Sequence, residues 1–288
     1  MMKFSVVGTG RLGTSLASAL TTVNWRLVYL FDRDPVAASG SRKIIGSGRS
    51  TSEPGKIGQK ETLIIIAVPD DELAAAAAKL AATRADWSGR AVLHTSGLLS
   101  SQALKPLKRK GAETASFHPL QSFPEKTGKK KDFRGIFWAV EGDPGAVTLA
   151  CKIIKSLGGS FLSVTEKDKP AVHLAASLAS NALVAVEKAA VSVLAETGLE
   201  ENQAWLVLAP LVRGTLENIG RAGPDQALSG PAVRGDTGTI RRHLVSLKSK
   251  PLEKEIYLAC LRQAMQMISR KTGKTRKLKA LERLIGRE

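Results

Sequence analysis

Three glycines near the start of the chain have the type and spacing to cradle a phosphate. A strand-like run, Lys3 to Val7, enters Gly8-Thr9-Gly10-Arg11-Leu12-Gly13 and continues as a helix-like run from Leu12 to Leu20. In that order Gly8 permits a tight strand-to-helix turn, Gly10 lets the backbone approach a pyrophosphate, and Gly13 lets the helix pack closely on a sheet. The phosphates then meet unpaired N–H groups at the positive end of the helix dipole. A second apolar run, Leu27 to Phe31, ends in Asp32, about twenty residues on, where an acid holds the adenosine ribose hydroxyls. Asp32 alone favours NAD, because a carboxylate repels a 2′-phosphate. Arg33 follows at once and can pair with that phosphate, which tips the expectation slightly towards NADP. Glycines at this spacing also occur in ordinary turns with a solvated acid nearby, so the strand before and the helix after carry the reading.

Further reactive residues fall just after other strand-like runs, where open α/β sheets bind ligands. They are Val68-Pro69-Asp70, His94-Thr95-Ser96-Gly97 and His118-Pro119-Leu120-Gln121. His94, Val68 and Pro69 are expected on the cofactor side. Two of the four histidines thus follow consecutive strands, and a third, His173, opens a long apolar helix on which Ser177, Ser180 and Asn181 share its face. Imidazole titrates at about 6.5 when unperturbed, so His173 or His118 is suited to act as general acid. Ser96 and Asn181 are suited to hydrogen-bond a substrate oxygen or nitrogen, with Ser177 beside them. In Gly230-Pro231-Ala232-Val233-Arg234-Gly235-Asp236, Arg234 can hold a carboxylate or phosphate, or pair structurally with Asp236. A buried, self-satisfied polar network is the competing account of the helix residues. No HxH, HxxxH or adjacent carboxylate pair offers a metal its ligands, so no metal is expected.

The elements that must position these groups alternate. Thr62 to Val68 is continuously apolar and β-branched, as a central parallel strand covered on both faces should be. A helix over 71–82, a strand over 90–94, a helix over 101–110 and a strand over 113–117 continue a βα pattern, and 136–140, 145–157 and 160–164 extend it. This predicts a doubly wound parallel sheet. From residue 166 the pattern becomes helical throughout: 169–197, 201–219, 239–249, 251–271 and a basic tail. The reading is therefore an α/β protein: a doubly wound parallel Rossmann sheet over 1–165, then an all-helical domain over 166–288. The latter is expected to bind substrate and to form a homodimer.

With 288 residues, 43% of them hydrophobic, two packed domains are expected. Cys151 and Cys260 form no CxxC, which suggests a reduced, cytoplasmic protein. Ala171 to Leu194 is long enough to span a bilayer but includes Glu187 and Lys188, so a buried central helix is expected instead. The 43 Lys and Arg against 26 Asp and Glu give a net charge of +17, which attracts polyanions. The excess gathers in Lys126, Lys129, Lys130, Lys131 and Arg134, and in the tail from Arg270 to Arg287. In the tail Leu278, Leu281, Leu284 and Ile285 form an apolar stripe. Nucleic acid or a membrane surface is a conceivable partner, but docking of the stripe on protein is favoured. The sparse aromatics argue against a single-strand stacking platform.

Taken together, Gly8-Thr9-Gly10-Arg11-Leu12-Gly13, Val68-Pro69-Asp70-Asp71, His94-Thr95-Ser96-Gly97, Phe117-His118-Pro119-Leu120-Gln121-Ser122-Phe123, His173 with Ser180-Asn181, and Gly230 to Asp236 resemble the Rossmann-like proteins that carry a C-terminal helical domain of unknown function. The resemblance covers residues 3 to about 260 and leaves the tail outside. That family is similar to pyrroline-5-carboxylate reductase, ketopantoate reductase and deazaflavin-dependent NADP oxidoreductases. The resemblance implies a six-stranded nucleotide domain, a dimerising helical domain, and a cleft between them. Ketopantoate and 6-phosphogluconate enzymes carry a Lys on the first long helix as proton donor, where this chain offers His173. The expected function is NAD(P)-dependent hydride transfer to or from a small carbonyl or imine compound, an anionic one where Arg234 holds it. The alternative is a non-catalytic dinucleotide sensor docking on an anionic partner.

Overall fold

The computed structural model describes residues 2–84, 86–126, 130–273 and 275–286; Lys129, part of the first basic run, and Arg287, at the end of the tail, lie outside them. The chain folds as two compact units, Met1–Ser180 and Asn181–Glu288. The division falls within the long helix, not before it at residue 165. The reason is local: the first turns of that helix pack on the sheet edge, through Lys169 and His173.

The first unit is built on eight strands: β1 (Lys3–Val7), β2 (Arg26–Phe31), β3 (Arg49–Thr51), β4 (Leu63–Ile66), β5 (Ala91–His94), β6 (Glu113–Pro119), β7 (Phe137–Gly142) and β8 (Ser160–Ser163). Their order is β3-β2-β1-β4-β5-β6-β7-β8. The chain reverses its direction of winding between β1 and β4, the place where such sheets bind ligands. The doubly wound parallel sheet is borne out, with eight strands in place of the six implied and one strand, β7, antiparallel to β6: β7 returns after β6 without a crossover helix, and β8 adds parallel to it. Helices α1 (Arg11–Thr21), α2 (Pro35–Ile45), α3 (Asp70–Ala82), α4 (Lys105–Lys108) and α5 (Pro144–Leu157) cover the sheet. The expected helix over 101–110 is a 3₁₀ turn, Ser101–Leu104, running into the short α4, which has Pro106 in its first turn.

Apolar residues fill both faces of the sheet. Phe4, Val6, Leu63, Ile65, Leu93 and Phe117 face one layer, with Leu16 and Leu20 of α1 and Ile153, Ile154 and Leu157 of α5. Val7, Ile64, Ile66 and Val92 face the other, with Leu73 and Leu80 of α3. That two-sided burial explains the continuous apolar run of β4. Local chemistry fixes the helix starts. Asp34 caps α2 by accepting from Val36 N at 2.8 Å. Asp70, Asp71 and Glu72 place three acids in the first turn of α3, where the dipole favours them.

The unit ends in α6 (Lys169–Ser177), which passes through a π turn at Leu178–Ala182 into α7 (Leu183–Ala195). The second unit continues with α8 (Glu201–Ala222), α9 (Pro224–Ala227), α10 (Pro231–Arg234), α11 (Thr237–Ser246), α12 (Pro251–Thr272) and α13 (Arg276–Ile285). The run Glu166–Ala195 is long and apolar enough to cross a membrane, and only 6% of its apolar stretch is buried. This corrects the expectation of a buried central helix. Within α6 and α7 only Lys169 and Val191 are buried, because no described element of the chain covers most of their apolar residues. The apolar stripe of the tail lies against its own unit. Leu278, Leu281 and Ile285 pack on Ile240, Leu244, Leu261 and Met265. Cys151 is half-buried and Cys260 exposed, both unpaired.

Candidate active site

The glycine loop leaves β1 with Gly8 at φ +94°, a conformation that favours glycine. A Cβ there would lie 2.4 Å from the Ala67 carbonyl oxygen, and one at Gly13 would lie 2.1 Å from the Gly8 carbonyl oxygen. Both glycines are therefore demanded by close backbone packing between β1, β4 and α1. Gly10 differs, since a Cβ there would meet nothing within 4 Å. Its backbone faces open space at the start of α1, where N–H groups lack helical partners. Arg11 is exposed in the first turn of α1, and Leu12 packs against the core. A cavity of about 410 Å³ opens beside the loop, lined by Gly8, Gly10, Asp32, Arg33, Val68 and Pro69 among others.

Asp32 is not merely solvated. Its Oδ2 accepts from Thr9 N at 2.8 Å and Thr9 Oγ1 at 2.7 Å, and Oδ1 accepts from Asp34 N at 3.2 Å. Burial works to raise its pKa, but the Thr9 donors, with Asp34 N and the charge of Lys126, outweigh burial and hold the carboxyl below its ordinary value. Arg33 Nη2 pairs with Glu72 Oε1 at 2.9 Å. Lys126 belongs to the sequence's basic run, yet here it reaches the loop, 3.4 Å from Ser41 Oγ.

Farther along the same sheet edge the histidines have distinct environments. His94 is fully buried. Its Nδ1 accepts from Ser96 N at 3.2 Å and its Nε2 lies 3.1 Å from the Ser100 carbonyl, which can only accept. Burial first, then the charge of Lys169, pushes its pKa down to about 3. With both nitrogens engaged, His94 shapes the 94–100 loop, and the expectation that it contacts the cofactor is corrected on that ground. Ser96 Oγ accepts from Leu98 N and Leu99 N at 3.2 and 2.9 Å, so it too builds the turn, keeping its hydroxyl hydrogen to give.

His118 is half-buried on β6, with Nδ1 2.9 Å from the Thr95 carbonyl. That contact fixes the hydrogen on Nδ1 and leaves Nε2 to accept. Burial lowers its pKa most; the Thr95 contact opposes that and the Lys169 charge adds to it. His118 is thus biased towards its neutral form, with Nε2 open to accept a hydrogen bond, and the expectation of a general acid is revised for this residue. The ring of His173, exposed on α6, stands edge-on to it with centroids 5.8 Å apart. A Cβ on Gly97 would lie 2.5 Å from His173 Nδ1 and 2.8 Å from His118 Nε2. Only a glycine lets both imidazoles close over that turn.

Lys169 is a site residue that the sequence did not single out. It lies one helical turn before His173 and is 1% exposed, which is rare for lysine without a partner. Its Nζ donates to the Ser96 carbonyl at 3.1 Å and to Ser116 Oγ at 2.6 Å. Burial lowers its pKa, against the charges of Glu141 and Asp70. The chain therefore does carry a Lys on its first long helix, and His173 accompanies it instead of replacing it. The i, i+4 spacing of Lys169 and His173 was the available signal.

The remaining candidates lie apart along the sequence. Ser177 is half-buried on α6 and Asn181 is exposed in the π turn, so the polar line is not a buried network. In the helical unit Arg234 is exposed at the end of α10. Asp236 caps α11, accepting from Thr239 N at 2.9 Å and Thr239 Oγ1 at 2.7 Å. Its carboxylate is committed to the helix start, which corrects its assignment to substrate. Among the described residues no cluster of three or more His, Cys, Asp or Glu could hold a metal ion.

Comparison with known proteins adds relatives of the same architecture. A Rossmann-like domain profile matches residues 1–119, and the profile of the Domain of unknown function (DUF2520) family matches residues 136–285. The second match takes in α13, so the basic tail belongs to the family region. No curated protein matches the chain. Protein TM1727 from Thermotoga maritima is 25% identical, with a TM-score of 0.71 over 93% of this chain and 99% of that one. A reductive aminase from Aspergillus terreus in complex with NADPH and ethyl-5-oxohexanoate is 13% identical, TM-score 0.70, over 98% and 99%. The Plasmodium falciparum pyrroline carboxylate reductase with NADP bound is 13% identical, TM-score 0.60, over 93% and 98%. At 13% identity the likeness is one of fold. With a glycine loop, an anchored acid at the second strand and a helical region matched almost to its end, the chain belongs to the DUF2520 family and carries a Rossmann-like N-terminal domain.

Proposed function

We propose that the protein is a nicotinamide-dinucleotide-dependent oxidoreductase acting on a small carbonyl or imine compound. The observation that carries this reading is that two features share one sheet edge. The open Gly10 loop follows β1, and the His118–His173 pair converges over Gly97 after β5 and β6. The loop fits a dinucleotide because Gly10 leaves the α1 N-terminus open and Asp32 is held in place at the ribose position. Gly8, Thr9, Gly10, Arg11, Leu12 and Gly13 would hold the pyrophosphate, and Val68 and Pro69 would flank the cofactor. The nicotinamide supplies or accepts the hydride. The protein handles the proton: His173, the more exposed ring, donates it when substrate is reduced and takes it back when substrate is oxidised, with the His118 ring beside it. Lys169 braces the Ser96 carbonyl, and its positive charge disfavours protonation of His118. Ser96, Ser177 and Asn181 are the proposed hydrogen-bond partners of substrate, and Arg234 the partner of an anionic group.

The reading extends to assembly. In the helical unit Val184, Trp205, Leu206, Val207 and Leu211 are exposed on α7 and α8, apolar surface that the described residues leave uncovered. We propose that a second copy covers it. The NADPH and NADP found with the two reductases of like fold support the choice of cofactor class. The test is a ketone and imine panel with NADH and NADPH, run on the wild type and on His173→Ala. Turnover should fall by about 10²-fold or more with coenzyme affinity nearly unchanged. Unchanged turnover would remove His173 from the mechanism, and no turnover by the wild type with any compound would favour the sensor alternative.

A further inference from the structure

Resting on the dinucleotide reading above, we infer that Glu72 sets the coenzyme preference by holding Arg33 away from the adenosine ribose. The end of β2 presents two opposite charges in succession. Asp32 is fixed by three donors and faces the cavity as a carboxylate, which opposes a 2′-phosphate. Arg33 is the residue able to reverse that opposition, because its guanidinium can bind a phosphate through two parallel hydrogen bonds. It is not free to do so. Its Nη2 is engaged by Glu72 Oε1 at 2.9 Å, and Glu72 projects from the first turn of α3 into the lining of the same cavity.

The pair is exposed, 77% for Arg33 and 35% for Glu72. Such pairs are weak, so the hold on Arg33 is a bias of up to about fivefold and not a lock. Lys126 and Lys79 are the cations nearby, one beside Asp32 and one in the cavity lining. Neither is ion-paired with Glu72 among the described residues, so Arg33 is the cation that Glu72 controls. Arg33 is thus a phosphate ligand held in reserve, and the acid on α3 decides how much of it a 2′-phosphate can use.

The experiment is a fluorescence titration of NADH and NADPH into four proteins: wild type, Glu72→Gln, Arg33→Ala, and the double variant. Glu72→Gln keeps the side-chain volume and leaves Asp70 and Asp71 to start α3. It should tighten NADPH about three- to fivefold while NADH stays within about twofold. In the Arg33→Ala background the same change should give no gain. A gain that persists without Arg33 would show that Glu72 acts through its own charge, and would overturn the inference. So would an unchanged NADPH to NADH ratio in Glu72→Gln while NADH still binds. If neither coenzyme binds the folded wild type, the dinucleotide reading falls and takes this inference with it. That outcome is distinguished by the missing NADH signal.

Discussion

The sheet unit and the helical unit treat apolar residues in opposite ways. Ile64, Ile65 and Leu93 sit at 0% exposure between two helical layers, whereas Leu206, Val207 and Leu211 stand at 60 to 71%. The residue types are similar, so composition does not decide burial. What decides it is whether the same chain supplies the covering layer. The central strands of the sheet unit are complete in this sense, whereas its β8 edge, at Phe161 and Leu162, and the helical unit have apolar surface left for another molecule to cover.

Substitutions in the two places should therefore fail differently. Ile65→Asp puts an unpaired charge into a closed core and should cost more than about 4 kcal/mol, enough to leave little folded protein by circular dichroism. Leu206→Asp should leave the fold and melting temperature nearly unchanged but shift the protein from dimer to monomer in sedimentation. If Leu206→Asp unfolds the chain, or the wild type sediments as a monomer, the contrast between the units is wrong.

A smaller effect separates glycines within the sheet unit. Gly13→Ala drives a Cβ to 2.1 Å from the Gly8 carbonyl oxygen, so backbone must move, and a loss of about 2–4 kcal/mol is expected by denaturant titration. Gly97→Ala presses on two side chains instead, His173 Nδ1 and His118 Nε2. It should cost little stability and reduce turnover about 10²-fold. Equal stability losses at the two positions would contradict this difference.

The last effect is on pH dependence and grows only as the pH falls below 6.5. His94 is held neutral in the fold, its pKa lowered to about 3, while in the unfolded chain it titrates at its ordinary 6.5. Between those values the unfolded state binds the extra proton, so its contribution is fully present above pH 6.5 and is lost as pH falls towards 3. His118 adds in the same direction, since burial lowers its pKa too. His94→Asn should flatten the stability curve through that window, and an unchanged slope would mean that His94 charges without penalty.

Much of the sheet could be read from sequence because its cause is local: β-branched runs make buried strands, and glycines mark the turn from β1 into α1. The direction of β7 could not, since a five-residue apolar run looks the same parallel or antiparallel. Exposure of α6 and α7 was equally hidden, because an apolar helix does not say whose atoms cover it. At the site, His118 and His173 were found from their places after β6 and at the head of a helix. Lys169 was passed over because a lysine near a helix start ordinarily belongs to solvent, and only the Ser96 carbonyl and Ser116 show otherwise. The capture of Asp32 by Thr9 and of Asp236 by Thr239 depends on backbone geometry that spacing does not encode.

The most direct test is nicotinamide fluorescence with NADH and NADPH, comparing the wild type with Gly10→Val at matched melting temperature. A side chain at Gly10 enters only open space, so the variant should fold normally. The wild type should bind at least one coenzyme saturably, and the variant should not. Equal binding by both proteins, or none by the wild type, would mean that the glycine loop holds no pyrophosphate and that this sheet edge is not a dinucleotide site.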